Sequence, residues 1–257
     1  MKLRLLPMIA FILLCASTPS VSAQPASVAP PETGYVLEHR QLNLTGAAKQ
    51  GLQQVLLVGH KEKPNDPDYR SFLIMVHNES DKLVMLFSLP IGGTEPKLQF
   101  PALTSAKVPY ILFSAKATHS TAPSTFRLFS VKDNKPLELP LPPTLSVSGQ
   151  FQDQYKARIY VKEEQKMYIL DVRNRRSMYE EMGLFANGKL LSPTSLQTAA
   201  YVDLHPDDSN KDGIYELQTI QRVNGTNRAD TLAYVIATWK WDRNNWKRIN
   251  VKVQTQR

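Results

Sequence analysis

Asp208, Asn210 and Asp212 place an oxygen-bearing side chain at every second position, Gly213 follows, and Glu216 closes the stretch Asp208-Ser209-Asn210-Lys211-Asp212-Gly213-Ile214-Tyr215-Glu216. Such a set of donors suits a hard divalent cation. Ca²⁺ takes roughly six to eight oxygens at about 2.3–2.6 Å, so a short loop must turn tightly enough to aim alternate side chains at one point. Gly213 permits that turn. The carbonyl of Ile214 adds a main-chain ligand and Glu216 one or two carboxylate oxygens, with Asp207 beside them as an outer group. An EF-hand fits poorly, because its twelfth loop position, where a bidentate Glu belongs, is Thr219, and the following residues carry a period of two. The plainer reading is a polar turn, since Asp, Asn, Ser and Gly favour turns without any metal. No phosphate loop with a Lys-Ser/Thr pair is present, and His205 has no second His or Cys at metal-ligand spacing.

Other candidate chemistry is thinner. Trp239 and Trp241 lie two apart on one strand face, and Trp246 follows across the turn Asp242-Arg243-Asn244-Asn245. They suit either a stacking platform for sugar rings or, more in keeping with a terminal hairpin, aromatic packing. Tyr155, Tyr160, Tyr168, Tyr179 and Tyr201 read as core or sheet-edge residues. No Gly-x-Ser-x-Gly elbow occurs, and His39, His60, His77, His119 and His205 are scattered. Glu163, Glu164, Glu180 and Glu181 supply acids but read as solvated, and the expectation is a protein without catalytic residues. Arg173-Asn174-Arg175-Arg176 is the densest basic cluster and reads as a polar hairpin tip rather than a surface for an anionic polymer, so no nucleic acid is expected as a partner. The glycan-acceptor patterns at Asn43, Asn78 and Asn224 matter only in a host with the machinery.

These side chains must be positioned by a chain that begins with an export signal. Lys2 and Arg4 precede an apolar run, and Ser20-Val21-Ser22-Ala23 offers small residues for cleavage after Ala23. That run falls short of the ~20 residues a membrane span needs, and no later segment supplies one. Residues 1–23 are thus a signal peptide, and removing them lowers the formal charge of +8 to +6 and takes away the single cysteine, Cys15. The expected destination is the cell envelope or the medium. Residues 24–34 form a Pro/Ala/Ser-rich leader with too little apolar surface to offset the entropy of ordering.

From 35 to 257 the texture is that of one β-domain. Short β-branched or aromatic runs recur between Gly, Pro, Asn and Asp clusters, which predicts strands at Leu52–Gly59, Ser71–His77, Leu83–Pro90, Tyr110–Ala115, Phe126–Val131, Ala157–Val161, Met167–Val172, Tyr215–Val223, Leu232–Trp241 and Trp246–Val253. Asn187-Gly188 marks a tight hairpin turn. A blurred repeat runs through this pattern: Leu42–Gly46 and Ala102–Pro109 precede strands as the acidic loop does, but near Asn43 and Ala102 the carboxylates are almost all missing.

On Asp208-Ser-Asn-Lys-Asp-Gly-Ile-Tyr-Glu-Leu the chain resembles the Asp-x-Asp/Asn-x-Asp-Gly-x-x-Asp/Glu loops of FG-GAP/VCBS-type β-propellers, as found in bacterial secreted proteins with degenerate repeats. The resemblance extends over roughly Leu42–Val253, most clearly after Tyr155. It implies an all-β, propeller-like array of short antiparallel sheets, with Ca²⁺ held by Asp208, Asn210, Asp212 and Glu216 and a main-chain ligand near Ile214. It fixes no reaction. With the export signal and the lack of a reactive constellation, the leading reading is an exported, non-catalytic module that binds an extracellular partner; the alternatives are a cell-wall polysaccharide-binding protein using Trp239, Trp241 and Trp246, and a secreted hydrolase with a site assembled across blades.

Overall fold

In Ser71–Asn78 the side chains of Phe72, Ile74 and Val76 are buried while Ser71, Leu73, Met75 and His77 are only half-buried. A period of two sends alternate residues to opposite sheet faces, and this alternation, with its variants, organises the whole chain. The computed structural model describes residues 34–46, 51–78, 82–104, 108–118 and 124–256, which lie within the unit Pro31–Arg257. The expected signal segment with Cys15 and Ala23, the expected leader up to Thr33, and His119 lie outside the described residues, as do 47–50 and 105–107 of the two degenerate loops.

The architecture is all-β, in several small antiparallel sheets. The first is a meander of β1 (Gly34–Leu42), β2 (Gln53–His60), β3 (Ser71–Asn78) and β4 (Leu83–Leu89). The second repeats the plan with β5 (Thr94–Gln99), β6 (Ile111–Lys116), β7 (Thr125–Ser130) and β8 (Leu137–Leu139). A third sheet holds β9 (Val147–Gln152), β10 (Lys156–Val161) and β11 (Lys166–Asp171). After the short helix α1 (Arg176–Glu181) and a hairpin of β12 (Phe185–Ala186) and β13 (Lys189–Leu190), the fourth sheet runs through β14 (Gln197–Asp207), β15 (Glu216–Asn224), β16 (Thr231–Asp242) and β17 (Asn245–Thr255). Consecutive strands are neighbours in each of these sheets, as short hairpin connections favour.

Burial explains how the sheets meet. Val55, Leu57, Phe72, Ile74 and Val76 of the first sheet share a core with Ile111 and Phe113 of the second. Leu112 and Leu128, on the second sheet's other face, join a larger core with Phe151, Ile159, Leu217, Val235 and Trp239 from the third and fourth. The second sheet is therefore covered on both sides, which is why β6 opens with the unbroken buried run Ile111-Leu112-Phe113. Each such side chain contributes about 1.5–3 kcal/mol on full burial. The third and fourth sheets are stitched together before β14 begins: Phe151 N donates to Thr194 O at 2.9 Å and Leu196 N to Gly149 O at 2.9 Å.

The Asn187-Gly188 turn is as expected, with φ of 47° and 82° between β12 and β13. Arg173–Arg176 is different. It is a helical turn leading into α1, and three of its arginines are ion-paired, Arg173 with Asp171, Arg175 with Asp230 and Arg176 with Glu180. Glu163, Glu164 and Glu181 are exposed and Glu180 is half-buried, and three of the four also have protein partners: Glu163 accepts from Ser146 N at 2.9 Å, Glu164 pairs with Arg248 at 2.9 Å, and Glu180 accepts the Tyr155 phenol. Asp171 and Glu180 are near neighbours in sequence of the arginines they pair with, whereas Asp230 and Arg248 come from distant segments that spacing along the chain cannot reveal.

Candidate functional site

The acidic stretch is the connection of the β14–β15 hairpin, with Asp207 and Glu216 facing each other where the ladder ends. Lys211 N donates to Asp208 O at 3.1 Å, and positive φ at Lys211 (57°) and Gly213 (79°) lets the chain double back. Gly213 is suited to that region because it has no Cβ to collide with its own backbone. The turn is then held by its own side chains: Gly213 N donates to Asp208 Oδ1 at 3.4 Å, Asp212 N to Asn210 Oδ1 at 3.2 Å, and Ile214 N to Asp212 Oδ1 at 2.7 Å. Asn210 Nδ2 also donates to Asp212 Oδ2 at 3.1 Å. Asp207, read from sequence as an outer group, accepts from Ser209 Oγ at 2.6 Å and from Gln218 Nε2 at 2.6 Å. Tyr215 N donates to Ala102 O at 2.8 Å, so the acidic hairpin is docked on one of the loops that resembles it in position but not in charge.

Donor chemistry fits Ca²⁺, yet the conformation is that of a self-bonded turn. Among the described residues, no three side chains of His, Cys, Asp or Glu converge as a metal-binding group. Asp208 and Asp212 each give one oxygen to the loop backbone, and the Asn210 amide oxygen accepts rather than pointing at a shared centre. Glu216 is placed differently. It is 8% exposed, and its pKa is raised first by burial and also by the charges of Asp212 and Asp207, against the opposing charge of Lys240 and its own backbone N–H. A carboxylate held in that setting gains from any added cation.

The three tryptophans do not form an exposed platform. Trp239, Trp241 and Trp246 are 4%, 7% and 8% exposed. Trp239 Nε1 donates to Thr219 Oγ1 at 3.0 Å and Trp246 Nε1 to Pro140 O at 2.7 Å, while the Trp241 and Trp246 rings meet edge-on at 4.9 Å. The inner face of β16 puts Trp239 and Trp241 into the larger core, and hairpin register sets Trp246 opposite Trp241. Burying indoles this fully contributes to the core, and two of the polar N–H groups find partners within it.

Two features were not legible in the sequence. One is a buried polar knot, in which Asp230, whose side chain is 2% exposed, takes Arg175 on one oxygen and Tyr179 Oη at 2.8 Å on the other, with Thr226 N at 2.9 Å. Burial chiefly, then Asp230, raises the Tyr179 pKa well above the usual phenol range. The second is a cleft of about 700 Å³ walled by Leu103, Thr104, Val108 and Tyr110, the β7–β8 turn, Ile214 of the acidic hairpin and the β16–β17 turn. Only the sheet packing brings these four segments together. Separately, His205 Nδ1 and Asp203 Oδ2 pair at 2.9 Å on β14, and this hydrogen bond raises the His205 pKa and lowers that of Asp203.

No helix among the described residues is long and apolar enough to cross a membrane. Comparison with known proteins bears on the C-terminal half. No solved structure matches. Over 98 residues the chain is 34% identical to a Bacillus subtilis (strain 168) protein named "Uncharacterized protein YybI", the alignment covering 38% of this chain. The chain spans about 37% of the length of this curated relative. The third sheet, the buried knot, the acidic hairpin and all of the fourth sheet but Thr255 fall within residues 145–254, the stretch that matches the family model described as the YybI C-terminal domain.

Proposed function

We propose that the chain is an exported, non-catalytic β-sheet module of the cell envelope that binds an extracellular protein or wall polymer, and that calcium organises its Asp208–Glu216 hairpin. The reading is propeller-like: three four-stranded meanders and one three-stranded meander follow one another along the chain, and the second sheet packs face to face on both sides. Such stacking is how successive blades cover one another in a propeller. The likeness of the acidic hairpin to FG-GAP/VCBS loops points the same way.

The observation that carries the calcium part is Glu216, a buried carboxylate beside Asp212 and Asp207. Ligation would exchange the loop's internal hydrogen bonds for an ion. That exchange weakens binding toward the 10⁻⁴–10⁻³ M typical of extracellular calcium modules. Calorimetric titration with Ca²⁺ up to about 10 mM should therefore give a saturating heat that Asp212→Ala abolishes. A flat titration for the unaltered protein would remove the ion. Export is tested by N-terminal sequencing of the protein recovered from the envelope or medium, which should begin at Gln24; recovery of Met1 from the cytoplasm would contradict it.

The non-catalytic reading is supported by what the polar groups do. Asp230, Arg175, Tyr179, Glu163, Glu164 and Glu180 are each tied into contacts that join elements of the fold. Screening with generic ester, glycoside and phosphate substrates tests it, and turnover removed by a point substitution that preserves folding would overturn it.

A further inference from the structure

We propose that the cleft beside the acidic hairpin binds a single-chain amphiphile with an anionic head. This rests on the reading of the protein as a binding module but not on calcium. At about 700 Å³ the cavity has the size of a site for one small molecule.

Part of the wall is aliphatic, and most of the rest is polar or charged. Leu103, Val108, Leu137, Leu139 and Ile214 line it, and Leu139 is packed against the larger core, so the floor of the cleft continues the interior of the protein. Leu137 is 57% exposed at the mouth, on the short edge strand β8. Aromatic faces are scarce: Trp241 is 7% exposed, and Tyr110 is half-buried. A sugar ring needs an open aromatic face to stack on, whereas an alkyl chain needs only apolar surface from which to displace water.

The rim decides the head group. Lys132, Lys135, Lys240 and Arg243 line the cleft together with two carboxylates, Asp133 and Asp242. Asp242 lies 4.0 Å from Arg243, at the limit of ion pairing. Among the described residues no carboxylate lies within ion-pair distance of the Lys132 or Lys135 ammonium, so both are available to a ligand. Cations around an apolar slot complement a carboxylate, phosphate or sulfate on a hydrocarbon tail, and they disfavour a cationic head.

Calorimetry on the full mature chain with decanoate and decyl phosphate, each below its micelle concentration, tests this in parallel with decyl maltoside, decyltrimethylammonium and inorganic phosphate. One saturable site is expected for both anionic amphiphiles, with affinity rising about fourfold per methylene across chain lengths. Decyl maltoside should bind at least ~10-fold more weakly, and inorganic phosphate should give no saturable heat. Lys132→Glu with Lys135→Glu should reduce the affinity at least ~10-fold while leaving the melting temperature in place, because both positions are exposed. Leu137→Asp, also exposed, should do the same through the tail.

Equal binding of the neutral and anionic amphiphiles, unchanged affinity in both variants, or absence of any saturable heat would overturn the proposal. Repeating the titration in EDTA separates the two readings. Binding that persists without divalent ions supports the cleft whatever the acidic hairpin does, and binding that vanishes assigns the head group to an ion bridge and sinks the role given to the lysines.

Discussion

Tyr179 Oη donates to Asp230 Oδ2 at 2.8 Å, joining α1 to the turn between β15 and β16 across 51 residues of sequence. Both residues are buried, and Gly225 passes so close that a Cβ there would lie 2.0 Å from Asp230 Oδ2 and 2.8 Å from the Tyr179 oxygen. The knot leaves room for neither another side chain nor an unpaired charge. Tyr179→Phe keeps the ring contact with Phe151, 5.2 Å between centroids, and removes one hydrogen bond to a charged acceptor, an expected loss of about 1.5–3 kcal/mol in urea unfolding. Asp230→Ala strands the Arg175 guanidinium and should destabilise by about 3–5 kcal/mol. A loss under about 0.5 kcal/mol for Asp230→Ala would show that solvent reaches the knot.

Packing rather than ligand stacking governs the tryptophans, and stability is the property that should respond to their removal. Trp239→Ala empties a core position and removes the indole donor to Thr219 Oγ1, for which about 3–5 kcal/mol is expected in denaturant titration. Lys247→Ala, on the exposed side of the same hairpin, should stay within about 0.5 kcal/mol. Similar small effects for both would place Trp239 outside the core.

The Glu216 carboxylate should make stability depend on pH in a particular sense. Its folded-state pKa lies above the ordinary 4.5, chiefly because burial penalises the charge. Folding is therefore favoured on this account below the unfolded value and loses that increment as pH rises through the folded one. Glu216→Gln removes the loss, so its melting temperature should exceed that of the unaltered protein at pH 7, and the gap should close below about pH 4. Millimolar Ca²⁺ should narrow the gap at pH 7 by stabilising only the unaltered protein. A less stable glutamine variant at pH 7 in EDTA contradicts this account.

His205 offers a second titration with the opposite partner. Its pKa is raised above 6.5 chiefly by the hydrogen bond to Asp203, whose own value that bond lowers from 3.8. The histidine's share of stability is complete below about 6.5 and is lost as pH rises through the folded value, and the aspartate's share is lost only as pH falls through its depressed one. An NMR titration of the imidazole should give a midpoint above 6.5 that moves down in Asp203→Asn. An unmoved midpoint would mean that Asp203 does not set it.

The ten strands expected from period-two patterning all form, from β2 and β3 through β16 and β17. Those missed are mainly edges or polar strands. β5 carries Pro96 and a register shift between Thr94 and Lys97, β14 carries Pro206 and two shifts, and β9 reads Val-Ser-Gly-Gln-Phe-Gln with one fully buried side chain. Proline withholds a ladder donor and is confined to such edges, so it argues against a strand in sequence even where one forms. At six residues α1 is too short to show a helical period. The acidic hairpin lies where its turn residues put it, whereas its self-bonded geometry depends on which amide each carboxylate reaches.

Local chemistry in the chain was enough to specify the all-β class, the turn at Asn187-Gly188 and the donor types at Asp208–Glu216, because period, turn preference and donor identity are properties of neighbouring residues. Folding across sheets determined the rest: the match of Arg175 to Asp230 over 55 residues, the docking of Tyr215 on Ala102, the burial of all three tryptophans and the cleft built from four separate segments. Hydrophobic burial is non-directional, so an apolar face says that it must be covered and leaves open by what. The close packing of one particular sheet on another then selects which charges pair, which rings disappear and which lysines remain at the surface.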